Sequence, residues 1–238
     1  MKTFDDLRES GVKIAGNERE TLGDMERILH QYREILGDDY KIILGQISSM
    51  GNSLKEISSL VNVLHIKAIM DPIGIYSKIY LEDRIATLQE ESNLAFFMGD
   101  VDKFKNYNEN YGHVQADEAL RVIAREFHDS ITVNTREGEF RFVARYGGEE
   151  LCAFIGNYQG GLKRLGDITE DTRKNIENLK IEGLEGFSFK DEGYRHSTIT
   201  ISAGIRKIDE PMRIFMDSVD RLLTQKDEKG RNRTYLRE

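Results

Sequence analysis

The sequence is poor in the residues that stabilise small secreted domains and membrane spans. Its 238 residues include one Cys, two Pro and no Trp. Cys152 has no partner for an internal disulfide and no second thiol with which to begin a zinc site. No segment approaches the roughly 18 uncharged apolar residues of a membrane span, and the first ten residues are too charged for a signal peptide. We therefore expect a cytoplasmic protein that does not insert into a membrane.

The charge balance is acidic. There are 34 Lys and Arg against 42 Asp and Glu, a formal net charge of −8. This excess argues against nucleic acid as a partner. It permits a site in which carboxylates hold a divalent cation for a phosphate-bearing substrate.

The first 70 residues have a helical period. An apolar residue recurs every three or four positions over about four heptads, which is typical of a coiled-coil seam: Tyr40, Ile43, Ile47, Met50, Leu54, Ile57, Val61, Leu64 and Ala68. Leu22, Met25, Leu29, Tyr32 and Leu36 keep the same spacing before a turn at residues 37–39. Two interpretations follow: a stalk that dimerises, or a hairpin that buries its stripes against itself or the following domain.

Asp71 and Pro72 mark a domain boundary, because the residue before proline is driven out of the helical conformation. We assign residues 1–70 to a helical dimerisation and signalling region and residues 71–238 to a second domain. Its pattern predicts helices at 78–90, 104–130 with a break near Gly112, 166–179 and 212–224, and strands at 94–101, 140–146, 150–155 and 198–205. This order is βαββαβ, the ferredoxin-like arrangement of an α+β fold.

Acidic residues lie at the end of the first strand and at the start of the third. In a βαββαβ sheet these two strands are antiparallel neighbours, so Asp100 and Asp102 should approach Glu149 and Glu150. Converging carboxylates need a cation, and oxygen ligands favour Mg²⁺ or Mn²⁺. Between the second and third strands, Gly147 and Gly148 have no Cβ atoms and would let a phosphate or sugar come close to the backbone.

Residues 145–151, Arg-Tyr-Gly-Gly-Glu-Glu-Leu, resemble the signature turn of the GGDEF family, the diguanylate cyclases, in a GGEEL form. Residues 97–108, 111–117, 200–205 and 230–232 resemble further segments of the family in the same order. The resemblance covers about residues 71–238. It implies a domain of the nucleotide-cyclase and polymerase-palm type.

The resemblance also implies roles at the acidic edge. Asp100, Glu150 and the backbone carbonyl of Val101 would bind Mg²⁺ or Mn²⁺. Glu149 would be either a second metal ligand or the base beside the attacking hydroxyl. Lys105 would contact the triphosphate and stabilise the charge that develops on it.

Further positions would bind the nucleotide. Asn108 and Asp117 would hydrogen-bond the guanine edge, and Asp117 would favour guanine because adenine lacks the matching pair of donors. His113 would either touch the substrate or cap its helix, and Phe104 would form the floor of the site. Gly147 and Gly148 would allow the phosphates to approach.

The sequence departs from the family pattern in three places. The family's opening Asp-x-Leu-Thr-Gly-Leu motif is shortened at residues 71–75. Asp227 stands where the family has a lysine, so that Lys226 could serve instead, together with Arg231. An inhibitory Arg-x-x-Asp motif would need an arginine and an aspartate where this chain has Gly138 and Arg141.

The implied activity is the condensation of two GTP into cyclic di-GMP and two pyrophosphates. One such domain holds one GTP, so the resemblance implies a homodimer, joined through the N-terminal helices and without the inhibitory product site. Two alternatives remain: a catalytically inactive GTP-binding and dimerisation effector, and a cyclic dinucleotide synthase with a different base preference.

Overall fold

The structure, a computed structural model, describes residues 20–27, 29–30, 33, 38–91, 93–181, 198–207, 209–226 and 230–237. The chain divides into two units, one ending at Ile69 and the other beginning at Met70. Among the described helices, none has both the length and the apolar character needed to cross a membrane.

The N-terminal unit contains a long helix, α1 (Asp39–Ile69), preceded by helical residues 20–27. Leu22 and Leu29 are buried together with Tyr40 and Ile47 of α1. The Tyr40 hydroxyl lies 2.6 Å from Nδ1 of His30. The first part of the predicted seam is therefore closed within the chain, as in the hairpin interpretation.

The second part of α1 presents its apolar side chains to solvent. Five of them have at least 45% of their surface exposed: Ile57, Leu60, Val63, Leu64 and Ile66. Tyr32, Leu36 and the side chain of Ala68, which belong to the predicted stripes, lie outside the described residues. The hairpin interpretation thus accounts for only half of the pattern.

The C-terminal unit is built on one mixed sheet. Its elements are α2 (Lys78–Leu88), β1 (Leu94–Val101), α3 (Phe104–Tyr111), α4 (His113–Asn134), β2 (Phe140–Arg145), β3 (Glu150–Gly156), α5 (Leu162–Glu177), β4 (Ile199–Ile205), α6 (Met212–Leu223) and β5 (Thr234–Arg237). The strand order is β2-β3-β1-β4-β5. β1 is antiparallel to both β3 and β4. The predicted ferredoxin-like α+β fold is confirmed.

Strand β1 is the centre of the core, and alternate side chains enter different layers. Ala95 and Phe97 belong to the cluster formed with α4 and α5. On the other face, Phe96 stacks on Phe154 and meets Phe215 of α6 edge-on. Because both faces are covered, the end of β1 is held rigidly where the acidic residues begin.

Two helix ends and one strand differ clearly from the prediction. Helix α4 continues to Asn134 instead of ending near residue 130. Helix α5 begins at Leu162 rather than near residue 166. An unpredicted strand, β5, adds in parallel to β4, with Ile201 beside Thr234 and Gly204 beside Arg237. The glycine-bearing loop predicted at residues 182–197 lies outside the described residues.

Candidate active site

The acidic edge of the sheet is formed where β1 ends beside the start of β3. Asp100 lies directly opposite Glu150 in the antiparallel register. The backbone N–H of Val101 donates to the carbonyl of Glu149 over 3.3 Å. The topology therefore sets Asp100 beside Glu150 and the end of β1 beside the backbone of Glu149.

The side chain of Asp102 does not approach Glu149 and Glu150 as the sequence had predicted, but binds other partners. It is 1% exposed, and its carboxylate accepts hydrogen bonds from the Thr200 hydroxyl at 2.6 Å and from the backbone N–H of Asn232 at 2.9 Å. Burial raises its pKa, and the two hydrogen bonds oppose that rise. Asp102 thus joins β1 to β4 and to the segment before β5 instead of joining Glu149 and Glu150.

The Gly-Gly turn is held from one side by Arg145. Its guanidinium donates to the carbonyl of Gly148 at 2.7 and 2.9 Å and to that of Gly147 at 3.3 Å. The same guanidinium pairs with Asp71 at 3.1 Å. The turn is therefore anchored to the shortened opening motif, whose Ile73 side chain is buried in the core.

Helix α6 brings a cation and another acid to this edge. The Lys226 ammonium, just beyond the helix, is 2.5 Å from Oδ1 of Asp100. Asp220 lies close enough to affect the ionisation of Glu150, and Asp100 in turn affects that of Asp220. The sequence analysis named Lys226 but missed Asp220, which lies three residues after Asp217 on a helix whose buried residues include Phe215 and Val219.

The carboxylates of the site repel one another. Burial raises the pKa of Glu150, and the negative charges of Asp100 and Asp220 raise it further, while Lys226 lowers it. Burial likewise raises the pKa of Asp220, with Asp217 and Asp100 adding to the rise. A cation at this position would relieve the repulsion.

The donor set fits a hard divalent cation. Asp100 and Glu150 offer only oxygen atoms, and the ammonium beside Asp100 shows that the pocket attracts positive charge. Within the part of the chain that the structure describes, no three acidic, His or Cys side chains are grouped closely enough to enclose an ion. Mg²⁺ commonly uses one or two carboxylates and completes its coordination with water and substrate phosphates.

The predicted nucleotide-binding residues lie on α3 and α4, which meet at Gly112. Asn108 is partly buried, and its side-chain Oδ1 has no hydrogen-bond partner among the described residues. Lys105 is 82% exposed and 3.9 Å from Glu109. His113 and Asp117 are exposed near the start of α4.

Phe104 differs from these polar residues. It is partly buried against the core and lies 6.2 Å, between ring centroids, from Tyr107. Its role as the floor of the site stays a prediction.

The closing Gly-Arg-Asn segment is fixed by a hydrogen-bonded network. The side-chain oxygen of Asn232 accepts from Arg173 at 2.7 Å, and its amide nitrogen donates to Glu177 at 2.7 Å. Arg173 is 6% exposed and also pairs with Glu170. The network holds Arg231 near Asp102, and the positive charge of Arg231 lowers the pKa of Asp102. Sequence reasoning found Arg231 but not Arg173, because a helix pattern does not show which distant segment it contacts.

Asp227, the main departure from the family pattern, lies outside the described residues. Its neighbour Lys226 is described and points toward Asp100. Gly138 and Arg141, at the positions of the family's inhibitory motif, are both described. Gly138 has φ 82°, and Arg141 lines a cavity of about 340 Å³ with His128 and Tyr76.

An acidic strand edge and a Gly-Gly turn on a ferredoxin-like sheet define the class of this domain. The sequence profile of "Diguanylate cyclase, GGDEF domain" matches residues 68–233. The chain therefore belongs to the GGDEF diguanylate cyclase family, and the resemblance in the sequence is confirmed.

Two curated relatives are diguanylate cyclases by name. Diguanylate cyclase A of Treponema denticola is 26% identical over 228 residues, which cover 90% of this chain and 54% of that protein. Diguanylate cyclase VdcA of Vibrio cholerae is 28% identical over 220 residues, covering 88% and 60%. The chain thus spans little more than half of the length of these relatives.

Solved structures share the fold at lower identity. The coiled coil and GGDEF domain of DgcB from Caulobacter crescentus, in complex with c-di-GMP, matches at 17% identity and a TM-score of 0.65, covering 82% of this chain and 99% of that one. Diguanylate cyclase SiaD of Pseudomonas aeruginosa, in complex with its activator SiaC, matches at 21% and 0.60, covering 96% and 86%.

Proposed function

We propose that this protein is a diguanylate cyclase that condenses two GTP into cyclic di-GMP and releases two pyrophosphates. The observation that carries the proposal is the register of β1 and β3, which sets Asp100 opposite Glu150 beside the Gly-Gly turn. Family membership supports the same activity. In this proposal residues 1–70 join two copies, and residues 71–238 carry out the chemistry.

The acidic edge would hold a divalent cation through Asp100, Glu150 and the Val101 carbonyl. Such a cation, Mg²⁺ or Mn²⁺, neutralises a triphosphate and polarises the attacked phosphorus. The protein's own part is to fix these oxygens, which the pairing of β1 with β3 and the anchoring of the turn by Arg145 both support.

Each GTP would supply a 3′-hydroxyl that attacks the α-phosphorus of the other. The new bond joins the 3′-oxygen to that phosphorus, and the bond to the pyrophosphate oxygen breaks. Glu149 either accepts the hydroxyl proton or binds a second cation. Lys105, Lys226 and Arg231 provide positive charge for the triphosphate and its leaving group.

Guanine recognition is assigned to Asn108 and Asp117. The buried Oδ1 atom of Asn108 accepts no hydrogen bond from the residues that the structure describes, so a guanine N–H would satisfy it. The exposed Asp117 carboxylate can accept from two adjacent donors. His113 lies close by in sequence, at the first position of α4, and Phe104 supports the floor.

The reaction needs two sites facing each other, because each domain binds one GTP. The exposed apolar residues of α1 between Ile57 and Ile66 are suited to pair with a second copy. Two α1 helices paired in this way would tether the catalytic domains and raise their effective concentration to roughly the millimolar range.

The test is to incubate the full chain with GTP and Mg²⁺ or Mn²⁺, measure pyrophosphate, and identify the nucleotide product by chromatography with mass detection. Asp100→Asn should abolish turnover, and Lys163→Met, an exposed change on α5, should not. Binding of GTP without pyrophosphate would instead identify the inactive effector. A product from mixed ATP and GTP that contains adenine would identify altered base preference.

We also propose that the product does not inhibit through the family's inhibitory motif. Gly138 offers no side-chain donor, and Arg141 is a cation where an aspartate is needed. Calorimetry with cyclic di-GMP should give no tight binding that depends on Arg141. A tight complex lost in Arg141→Ala would contradict this prediction.

A further inference from the structure

The ion pair between Lys226 and Asp100 joins a flexible cation to a carboxylate that the proposed function assigns to the metal. The two atoms are 2.5 Å apart, and the side chains are 16% and 15% exposed. The pair is therefore well shielded from solvent, unlike the exposed pair of Lys105 with Glu109. Shielding strengthens the attraction between the charges.

The Lys226 ammonium attracts several carboxylates at once. Its charge acts on Asp102, Glu150 and Asp220 as well as on Asp100. These carboxylates repel one another, and the ammonium offsets part of that repulsion. It does so at the place where a divalent cation would be bound.

The backbone of Lys226 is held while its side chain can move. The Lys226 carbonyl accepts from the N–H of Gly230 at 3.0 Å, in the segment that carries Arg231. Four methylene groups connect this fixed backbone to the ammonium. The ammonium can therefore leave Asp100 and reach a neighbouring anion without any change in the fold.

A metal ion and the ammonium cannot both lie against Asp100 without strong repulsion, because Mg²⁺ binds oxygen at about 2.0–2.1 Å. We infer that Lys226 and the divalent metal bind Asp100 in alternation. In the metal-free protein Lys226 holds the carboxylate, and when metal and triphosphate arrive together the ammonium transfers to the phosphates. This inference rests on the proposed metal site.

The alternation predicts that metal alone binds weakly. Metal must displace Lys226 into solvent when no triphosphate is present to receive it. GTP and metal should therefore each increase the affinity of the site for the other, as linkage requires.

The experiment titrates the full chain with Mn²⁺ in the absence of nucleotide and measures unbound Mn²⁺ by electron paramagnetic resonance. Lys226→Met should bind Mn²⁺ about fivefold or more tightly than the wild type, the lower end of typical coupling between ligands. Lys226→Arg, which keeps the charge, should bind no more tightly than the wild type. Lys163→Met is the matched control for loss of a lysine elsewhere.

Asp100→Asn separates the two proposals. If Asp100→Asn lowers Mn²⁺ affinity and Lys226→Met raises it, the inference is supported. If Lys226→Met binds Mn²⁺ no better than the wild type, or if neither binds it, alternation is wrong. If Asp100→Asn binds Mn²⁺ as the wild type does, the metal site of the proposed function itself is wrong. Thermal unfolding of each variant establishes that it is folded.

Discussion

The two glycines of the signature turn have different surroundings. A Cβ atom added to Gly147 would collide with the carboxylate of Glu150, whereas one added to Gly148 would meet open space. Neither residue has the positive φ that favours glycine. Gly147 therefore leaves room for the Glu150 side chain. We propose that Gly148 leaves room for the substrate.

Substitution of these glycines should affect different ligands. Gly147→Ala should push the Glu150 carboxylate aside and weaken Mn²⁺ binding by about tenfold, with little loss of stability because only the end of a side chain moves. Gly148→Ala should keep the Mn²⁺ affinity and weaken GTP binding. Titrations of both variants with Mn²⁺ and with GTP check this, and equal loss of Mn²⁺ affinity in both would contradict it.

Glu139 is a buried carboxylate that stabilises the C-terminal unit away from the site. Its side chain has no exposed surface and pairs with Arg164 at 2.5 and 2.8 Å. Burial alone would raise its pKa. The hydrogen bonds from Arg164 and from the backbone N–H groups of Arg136 and Gln159 outweigh burial and lower the pKa to about 2.

Removing this charge should destabilise the protein in a pH-dependent way. Glu139→Gln should cost about 3 kcal/mol at pH 7, because it leaves the Arg164 guanidinium without its partner. Since the folded pKa is depressed, the contribution is complete above about pH 4.5 and is lost as the pH falls toward 2. Urea unfolding between pH 7 and pH 3 measures both effects.

The matched control for this prediction is Glu118→Gln, which removes the partner of Arg121 in a solvent-exposed pair. We expect a change of about 0.5 kcal/mol or less. Equal losses in the two variants would show that burial of Glu139 does not matter.

At the level of secondary structure elements, Asn232 connects its own segment to the end of β1 and to α5. Its backbone N–H donates to Asp102 after β1, and its side chain binds Arg173 and Glu177 on α5. Arg231 precedes it directly. The position of the proposed triphosphate-binding arginine therefore depends on a helix that contributes no residue to the proposed site.

Asn232→Gly should weaken GTP binding by about tenfold, because Arg231 loses the anchor beside it. Glycine is the appropriate replacement, since φ at Asn232 is 55° and alanine would add backbone strain. We expect a loss of about 2 kcal/mol of stability as well. GTP titration and urea unfolding give the two values.

Asn175→Ala is the control, because it removes a hydrogen bond of 3.0 Å to Ser130 without touching the network. It should lower stability while leaving GTP affinity unchanged. If it weakens GTP binding as much as Asn232→Gly, the effect is one of general stability.

At the scale of the whole molecule, α1 divides its apolar residues between two environments. Residues near its start pack within the chain, whereas Ile57 and Leu64 are 55% and 64% exposed. Both belong to the seam predicted from the sequence. Exposed heptad positions of this kind are satisfied by a second helix.

Leu64→Asp should convert a dimer into monomers and reduce turnover in proportion, since two domains are needed for each product. Ile42→Asp is the matched control, because Ile42 is 61% exposed but lies off the seam. Analytical ultracentrifugation of the full chain measures the change. A monomeric wild type, or a Leu64→Asp variant that remains dimeric, would contradict the prediction.

Local patterns in the sequence were enough to predict most elements of the C-terminal unit. β1 was placed at the residues the structure gives it, and α6 within one residue, because continuous apolar runs and helical periods depend on neighbouring residues. β5 was missed since it has only four residues, and its pairing depends on the edge that β4 leaves open. Asp102 was assigned to the wrong group of contacts because the chain turns after Val101.

The sequence by itself determined the order of the elements other than β5, the family, and the pairing of Asp100 with Glu150. A βαββαβ order allows few topologies, so the pairing of the strands follows from the order of the elements along the chain. The family rests instead on the resemblance of residues 145–151 and the accompanying segments to the GGDEF pattern. Only the tertiary structure decided that Lys226 pairs with Asp100, that Asp220 joins the acidic edge, and that Arg173 fixes Asn232. These contacts join side chains far apart in the sequence, and packing of whole elements, rather than any local pattern, sets their distances.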